Sequence, residues 1–358
     1  MTPLGKLLLR RIAINGPMTI ADYMTECLLH PEHGYYTTRE PFGVEGDFTT
    51  APEISQMFGE MVGLCLAQAW VDQSKPAPFT LGELGPGRGT LMADILRVAR
   101  AAPGFVEAAQ VHLVEASPKL RARQKEALGG VDVTWVDHTG ALPDAPLFLV
   151  ANEFFDALPI RQFTRDEQGW CEHLVGVKDG ALMRGLGATT PYEDLAHRLE
   201  DTAIGGVVET CAPARPIIAE IAQRIGDQGG AALIIDYGNW RSNGDTLQAV
   251  EAHNMVDPLA RPGLSDLTAH VDFEALAQAA TRAVPSVKTS KVTSQGVFLE
   301  RLGITNRAQT LAQNLSGDAL DDLVAAHRRL THPEEMGSLF QVLGLTHASA
   351  PDLPGLDI

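Results

Sequence analysis

The chain of 358 residues is longer than an average domain of roughly 100 to 200 residues, which predicts a large core domain with a substantial extension or insertion. With 45% apolar and 20% charged residues, the composition is that of an ordinary globular protein and excludes global disorder. Its 28 basic and 45 acidic residues leave a net charge of −17, a field that repels nucleic acid and anionic lipid and attracts cationic ligands or basic protein segments. No run approaches the roughly 18 apolar residues of a membrane helix, so membrane insertion is not expected. Cys27, Cys65, Cys171 and Cys211 stand far apart without paired spacing, which suggests neither a disulfide framework nor a zinc site and fits a reducing cytoplasm.

The N-terminus carries Lys6, Arg10 and Arg11 with no acid before Asp22, but it lacks serine and a small-residue cleavage site, so it reads as an ordinary helix rather than a transit peptide. Thr19 is expected to cap a helix over 20–29, and Ser55 to open another running to Trp70. Between them residues 30–53 form a loop punctuated by Pro31, Gly34, Pro41, Gly43, Gly46 and Pro52, too long for a simple connector. His30-Pro31-Glu32-His33 has metal-like spacing, but Pro31 breaks the helix that would align the imidazoles, and no metal is expected. Residues 46–56 pack acids, hydroxyls and an aromatic together, as a lid over cofactor and acceptor would. Thr50 falls on the cofactor side of that reading and Glu53 on the catalytic side, with a plain helix N-terminus as the alternative for Glu53.

After Pro76 and Pro78 the rhythm becomes strand, helix, strand, helix, which predicts an α/β fold with a doubly wound parallel sheet. Strands are expected at 79–84, 111–115, 133–136, 147–151 and 231–236, with helices at 91–100, 118–128 and 215–225. Residues 161–177 alternate like a hairpin, 192–200 look helical, and the tail from Phe273 offers closing strands at 287–292 and 340–343.

Glu83-Leu84-Gly85-Pro86-Gly87-Arg88-Gly89 follows an expected strand and opens an expected helix, the setting in which a glycine pattern signals a nucleotide-type ligand. A dinucleotide fingerprint needs its third glycine five positions after the first; here the interval is four, which disfavours NAD. An acid two places before the first glycine, with glycines at every second position, resembles the first motif of class I methyltransferases that use S-adenosylmethionine. That cofactor has an amino-acid head and no pyrophosphate, so Glu83 suits its ammonium while Gly85, Gly87 and Gly89 let the backbone approach. Glu115, ending the second strand, suits the two ribose hydroxyls, and Asp137, ending the third, suits the adenine amino group. The bland alternatives are a packing turn for the glycines and solvated strand-end acids for Glu115 and Asp137.

The strand over 147–151 runs into Asn152-Glu153-Phe154-Phe155-Asp156. A strand of Leu, Phe and Val has little packing reason to end in an amide and two acids, although a turn cap would also account for them. Asn152 and Glu153 suit a substrate nitrogen held in line for methyl transfer. For a guanidinium acceptor, Glu153 and Asp156 would localise charge on the far nitrogens and accept the released proton. Asp236-Tyr237-Gly238 either lines the crevice or forms a turn.

Six blocks, 46–56, 82–91, 114–118, 152–159, 235–238 and 294–299, resemble in order the MidA family, whose mitochondrial members are assembly-factor methyltransferases for respiratory complex I. GDFTTAPEISQ, GELGPGRGTL and NEFFDALP carry the resemblance most distinctively, and it spans nearly the whole chain. It implies a class I methyltransferase domain over 77–358 with an insertion at about 161–228, preceded by a helical N-terminal extension over 1–76 that contains the lid loop 30–53. It also implies methylation of arginine in a complex I subunit, with S-adenosylmethionine bound by Gly85, Gly87 and Gly89, its ribose by Glu115, and the acceptor facing Asn152 and Glu153. The expected location is cytoplasmic for a bacterial member and mitochondrial for a eukaryotic one. The competing reading is a non-catalytic assembly chaperone that retains the methyltransferase fold and acts by binding its client.

Overall fold

The computed structural model describes residues 1–38, 50–251 and 254–357. The chain divides into two compact units, one of Met1–Phe48, Asp156–Ala214 and Asn239–Asp272, the other of Thr49–Phe155, Arg215–Gly238 and Phe273–Ile358. The expected N-terminal extension over 1–76 is thus split, and the inserted material resumes beyond the expected limit of about 228.

The second unit is built on strands β1 (Phe79–Leu84), β2 (Ala109–Val114), β3 (Val133–Val136), β4 (Leu147–Asn152), β5 (Gly230–Asn239), β6 (Val287–Thr289) and β7 (Phe340–His347). They lie in the order β6-β7-β5-β4-β1-β2-β3. The run from β3 to β5 is parallel, whereas β7 is antiparallel to both β5 and β6. Every residue of β1 and β4 is buried, as expected of central strands covered on both faces, which is why Leu147 to Ala151 of β4 read as a short continuous apolar run. The strand order reverses between β1 and β4, and ligands bind beyond the carboxyl ends of strands at such a point.

Helices α1 (Gln56–Asp72), α2 (Thr90–Ala99), α3 (Pro118–Ala127) and α4 (Ala214–Gln228) accompany the sheet. The Ser55 hydroxyl accepts from Met57 N and caps α1, as its sequence predicts. Buried Phe58, Met61, Val62, Cys65, Leu66 and Trp70 give α1 apolar surface nearly all round, so it joins the core of the sheet unit instead of standing apart as an extension. It lies tightly against α2: a Cβ at Gly59 would fall 2.6 Å from Asp94 Cβ, and one at Gly63 would fall 2.6 Å from Val98 Cγ1. On the same helix, buried Glu60 receives Arg97 Nη1 at 2.6 Å and Arg307 Nε at 2.7 Å. Burial alone would raise this carboxyl, but the hydrogen bonds from Arg307 and Arg97 outweigh it and hold Glu60 below the usual range.

The first unit opens with helix Pro3–Asn15, capped by the Thr2 side chain on Gly5 N, and helix Ile20–Leu29, whose Thr19 and Asp22 form a reciprocal capping box. The expected hairpin forms from Arg161–Asp166 and Gly169–Lys178 and is extended by Ala181–Thr190 on one side and Val207–Thr210 on the other. Residues expected to be helical over 192–200 make only a 3₁₀ turn, Glu193–Arg198. Leu4, Leu8, Tyr23, Met24, Cys27 and Val175 share this unit's core. Among the described residues, no helix is long and apolar enough to cross a membrane.

Candidate active site

The turn from β1 into α2 is shaped by its glycines. Gly85, Gly87 and Gly89 have φ of +58°, +51° and +86°, left-handed conformations that a side chain strains. A Cβ at Gly85 would lie 3.0 Å from Phe154 Cδ2, and one at Gly89 would lie 3.3 Å from Gln124 Cα. Gly85 N donates to Val114 O at 3.0 Å, which pins the turn to the end of β2. Glu83, 3% exposed and next to last in β1, has an Oε2 with no hydrogen-bond partner among the described residues. Burial pushes its carboxyl up to about 8, partly opposed by the Met92 amide in the first turn of α2.

Just beyond β2, Glu115 is held at both oxygens, with Ser117 N donating to Oε1 at 2.7 Å and Gln124 Nε2 to Oε2 at 3.2 Å. Burial raises this carboxyl, and the Ser117 amide, Gln124 and Arg121 partly offset the rise. Gln124 Nε2 also donates to Gly87 O at 2.8 Å, and its Oε1 accepts from Trp135 Nε1 at 2.8 Å. Asp137 is different in kind: its side chain is 78% exposed and pairs with Arg121 Nη2 at 2.5 Å, while the same guanidinium donates to Glu115 O.

Of the long loop, residues 39–49 lie outside the described residues, including the stretch of the expected lid up to Thr49. Thr50 precedes the short helix Ala51–Ile54, makes no side-chain cap, and accepts from Glu53 N at 2.9 Å through its carbonyl. Glu53 reaches the end of the glycine loop, with Oε1 accepting from Thr90 Oγ1 at 2.6 Å and Oε2 lying 3.6 Å from Arg88 Nη1. The physical reason is a carboxylate's attraction to the start of α2, where Thr90 is the first helical residue.

At the carboxyl end of β4, Asn152 is 8% exposed and its Oδ1 is buried with no hydrogen-bond partner among the described residues. Its Nδ2 donates to Glu153 Oε1 at 3.1 Å, and Ala51 N donates to the same oxygen at 3.2 Å. Glu153 has φ of +51°, a left-handed backbone uncommon outside glycine. Asp236 fixes the turn that follows, its Oδ2 accepting from Phe154 N at 3.2 Å and Phe155 N at 3.0 Å and its Oδ1 from Tyr237 N at 3.0 Å. Of the two readings open for Asp236 in the sequence, the turn is the one these bonds support.

A profile of S-adenosyl-L-methionine-dependent methyltransferases matches residues 61–290. A Homo sapiens protein named protein arginine methyltransferase NDUFAF7, mitochondrial, is 36% identical over 374 residues, covering 96% of this chain and 83% of the relative. Its Danio rerio namesake is 35% identical over 369 residues, covering 96% of this chain and 87% of that one. The chain belongs to this methyltransferase family. A superfamily member from Burkholderia thailandensis, crystallised with S-adenosyl-homocysteine, shares the fold at a TM-score of 0.83 and 31% identity, covering 98% of this chain and 94% of the other. A native crystal structure from the same organism aligns at 0.80.

The methyltransferase therefore has the class I fold and depends on S-adenosylmethionine, as the resemblance of its glycine loop to the first class I motif implies. Its residues fit that cofactor: Glu83 presents a buried carboxyl oxygen without a hydrogen-bond partner among the described residues, two positions before the first of three glycines that leave the backbone bare. The structure brings Thr50, Glu53, Glu83, Gly85, Gly87, Gly89, Glu115, Asn152 and Glu153 into one unit, but Asp156 falls in the other. There Asp156 O accepts from Ala269 N at 3.0 Å, and both Asp156 and Asp266 help burial to raise the Tyr36 phenol. Sequence reasoning missed Gln124, whose one sequence signal is its spacing of four from Leu120, the other buried residue of α3.

Proposed function

We propose that this methyltransferase transfers a methyl group to arginine in a protein, a basic segment of a respiratory complex I subunit, during assembly. The observation that carries the reading is the pairing of a buried amide oxygen on Asn152, without a hydrogen-bond partner among the described residues, with a carboxylate set in left-handed backbone at Glu153. The names of the relatives, protein arginine methyltransferases, support arginine as the acceptor, and the net charge of −17 favours a basic segment. Those relatives are named as mitochondrial, while a cytoplasmic location for a bacterial member is part of this proposal.

When bound, the cofactor supplies an electrophilic methyl group on a sulfonium. The glycine loop and Glu83 hold its amino-acid head, with Glu53 bracing the loop through Thr90 and Arg88, and Glu115 takes the ribose hydroxyls. Asn152 Oδ1 accepts from a guanidinium N–H and turns one nitrogen toward the methyl carbon. Attack by that nitrogen would take the methyl group from the bound cofactor, leaving the methylated guanidinium with one proton to lose. Glu153 draws positive charge to the far nitrogens and takes that proton. The Asp236 bonds to Phe154 and Phe155 keep the Glu153 turn rigid. Asp156, expected to share the proton-accepting role, is assigned no step.

The test is transfer of labelled methyl groups by the purified protein to an extract lacking this activity, followed by amino-acid analysis. Label in methylarginine is the expected result. Label only in small amines or metabolites would refute the protein acceptor, and no label despite bound cofactor would favour the chaperone reading.

A further inference from the structure

Gln124 occupies a position its helix does not explain. α3 carries Lys119, Arg121, Arg123, Lys125 and Glu126, yet Gln124 is 0% exposed. A buried amide destabilises the fold unless its polar atoms are bonded. Its two bonded atoms reach three segments: Nε2 donates to Gly87 O in the glycine loop and to Glu115 Oε2 beyond β2, and Oε1 accepts from Trp135 Nε1 in β3. The amide does both, whereas a carboxylate cannot donate and an aliphatic side chain can do neither.

We propose that Gln124 is a positioning residue that fixes the Glu115 carboxylate toward the ribose diol of the cofactor and ties that carboxylate to the glycine loop. The inference rests on the reading of Glu115 as the ribose residue. Ser117 N holds one carboxylate oxygen and Gln124 the other, so two donors stop the group from rotating while each oxygen keeps lone-pair capacity for a hydroxyl. The close approach of Gly89 to Gln124 Cα, where an added Cβ would lie at 3.3 Å, joins the loop to the same side chain by packing. Trp135 fixes which end of the amide faces the loop.

The experiment is calorimetric binding of S-adenosylhomocysteine and its 2′-deoxyribose analogue to the wild type, Gln124→Leu and Trp135→Phe, with folding checked by circular dichroism. The wild type should prefer the full ribose by roughly tenfold or more, the value of a hydrogen bond to a charged acceptor. Gln124→Leu should lose most of that preference, weakening the deoxy analogue, which keeps its 3′-hydroxyl, much less than the full ribose, and Trp135→Phe should lose part of it. Equal weakening of both ligands, or an unchanged preference in Gln124→Leu, would overturn the proposal and leave the Glu115 reading standing. A wild type without preference would overturn the Glu115 reading and the proposal with it. If Gln124→Leu fails to fold, Trp135→Phe decides, and an unchanged preference there overturns the proposal.

Discussion

Asn152 donates to Glu153 Oε1 at 3.1 Å while its own carbonyl oxygen stays buried without a hydrogen-bond partner among the described residues. An amide satisfied at its donor end and orphaned at its acceptor end, beside a carboxylate at φ +51°, is local strain that packing alone does not reward. The two residues are therefore expected to serve the acceptor and not the cofactor. Asn152→Ala and Glu153→Gln should each lower the rate of methyl transfer by about 10²-fold or more, the usual value of positioning and general-base groups. Affinity for S-adenosylhomocysteine should change less than about threefold in both. Calorimetry beside initial rates checks this, and a parallel loss of rate and cofactor affinity would contradict it.

Glu83 makes stability depend on pH. Burial lifts its folded-state value to about 8 from an ordinary 4.5, so the folded protein binds this proton more tightly than the unfolded chain. The stabilising contribution is complete below the unfolded value and is lost as pH rises through the folded one, at about 1.4 kcal/mol for each pH unit separating the two values. Without cofactor the wild type should become easier to denature between pH 5 and pH 8, and Glu83→Gln should flatten that slope. Urea unfolding at several pH values measures it. Parallel slopes in both proteins would show that Glu83 ionises normally.

Glu60 carries the opposite sign. Its folded-state value lies below the usual carboxylate range because the Arg307 and Arg97 hydrogen bonds outweigh burial, so its contribution is present above the unfolded value and is lost as pH falls. Glu60→Ala leaves Arg97 and Arg307 without their buried acceptor. Because both guanidinium groups keep access to water, the expected cost is about 2 kcal/mol and not the full penalty of a buried charge. Thermal denaturation near neutral pH should show the deficit, shrinking as the solution is acidified.

Gly85→Val tests the proposed cofactor role of the glycine loop. A branched side chain at φ +58° strains the backbone, and its Cβ would begin 3.0 Å from Phe154. Destabilisation of about 1–2 kcal/mol with loss of detectable S-adenosylhomocysteine binding is expected, because the loop can no longer pass close to the ligand. A folded variant with unchanged affinity would remove the glycine loop from the cofactor site.

The boundaries read best from the sequence were those of the central sheet. β1 and β3 fall at the expected 79–84 and 133–136, and Thr19 and Ser55 cap their helices because a side-chain oxygen beside free amides is a purely local signal. The glycine loop was legible for the same reason. What was not legible depends on contacts distant in sequence. α1 looked like part of an extension, and only its burial in the sheet's core reveals where it belongs. Glu53 looked like an acid of the acceptor, but Thr90 and Arg88 claim it. Gln124 sits on a helix whose composition announces solvent, and its burial becomes intelligible once Gly87, Glu115 and Trp135 are seen around it. Asp137 ends the strand it was expected to end, yet exposure and the Arg121 pair place its carboxylate among surface charges.

The most direct test of the central claim, that the end of β4 performs transfer while the glycine loop holds the cofactor, is single-turnover methylation. Wild type and Glu153→Gln, each preloaded with labelled S-adenosylmethionine, would be mixed with an extract lacking this activity. The account predicts rapid appearance of labelled methylarginine with the wild type and, at equal cofactor occupancy, a rate at least about 10²-fold slower with the variant. An equal rate in the two proteins would contradict it.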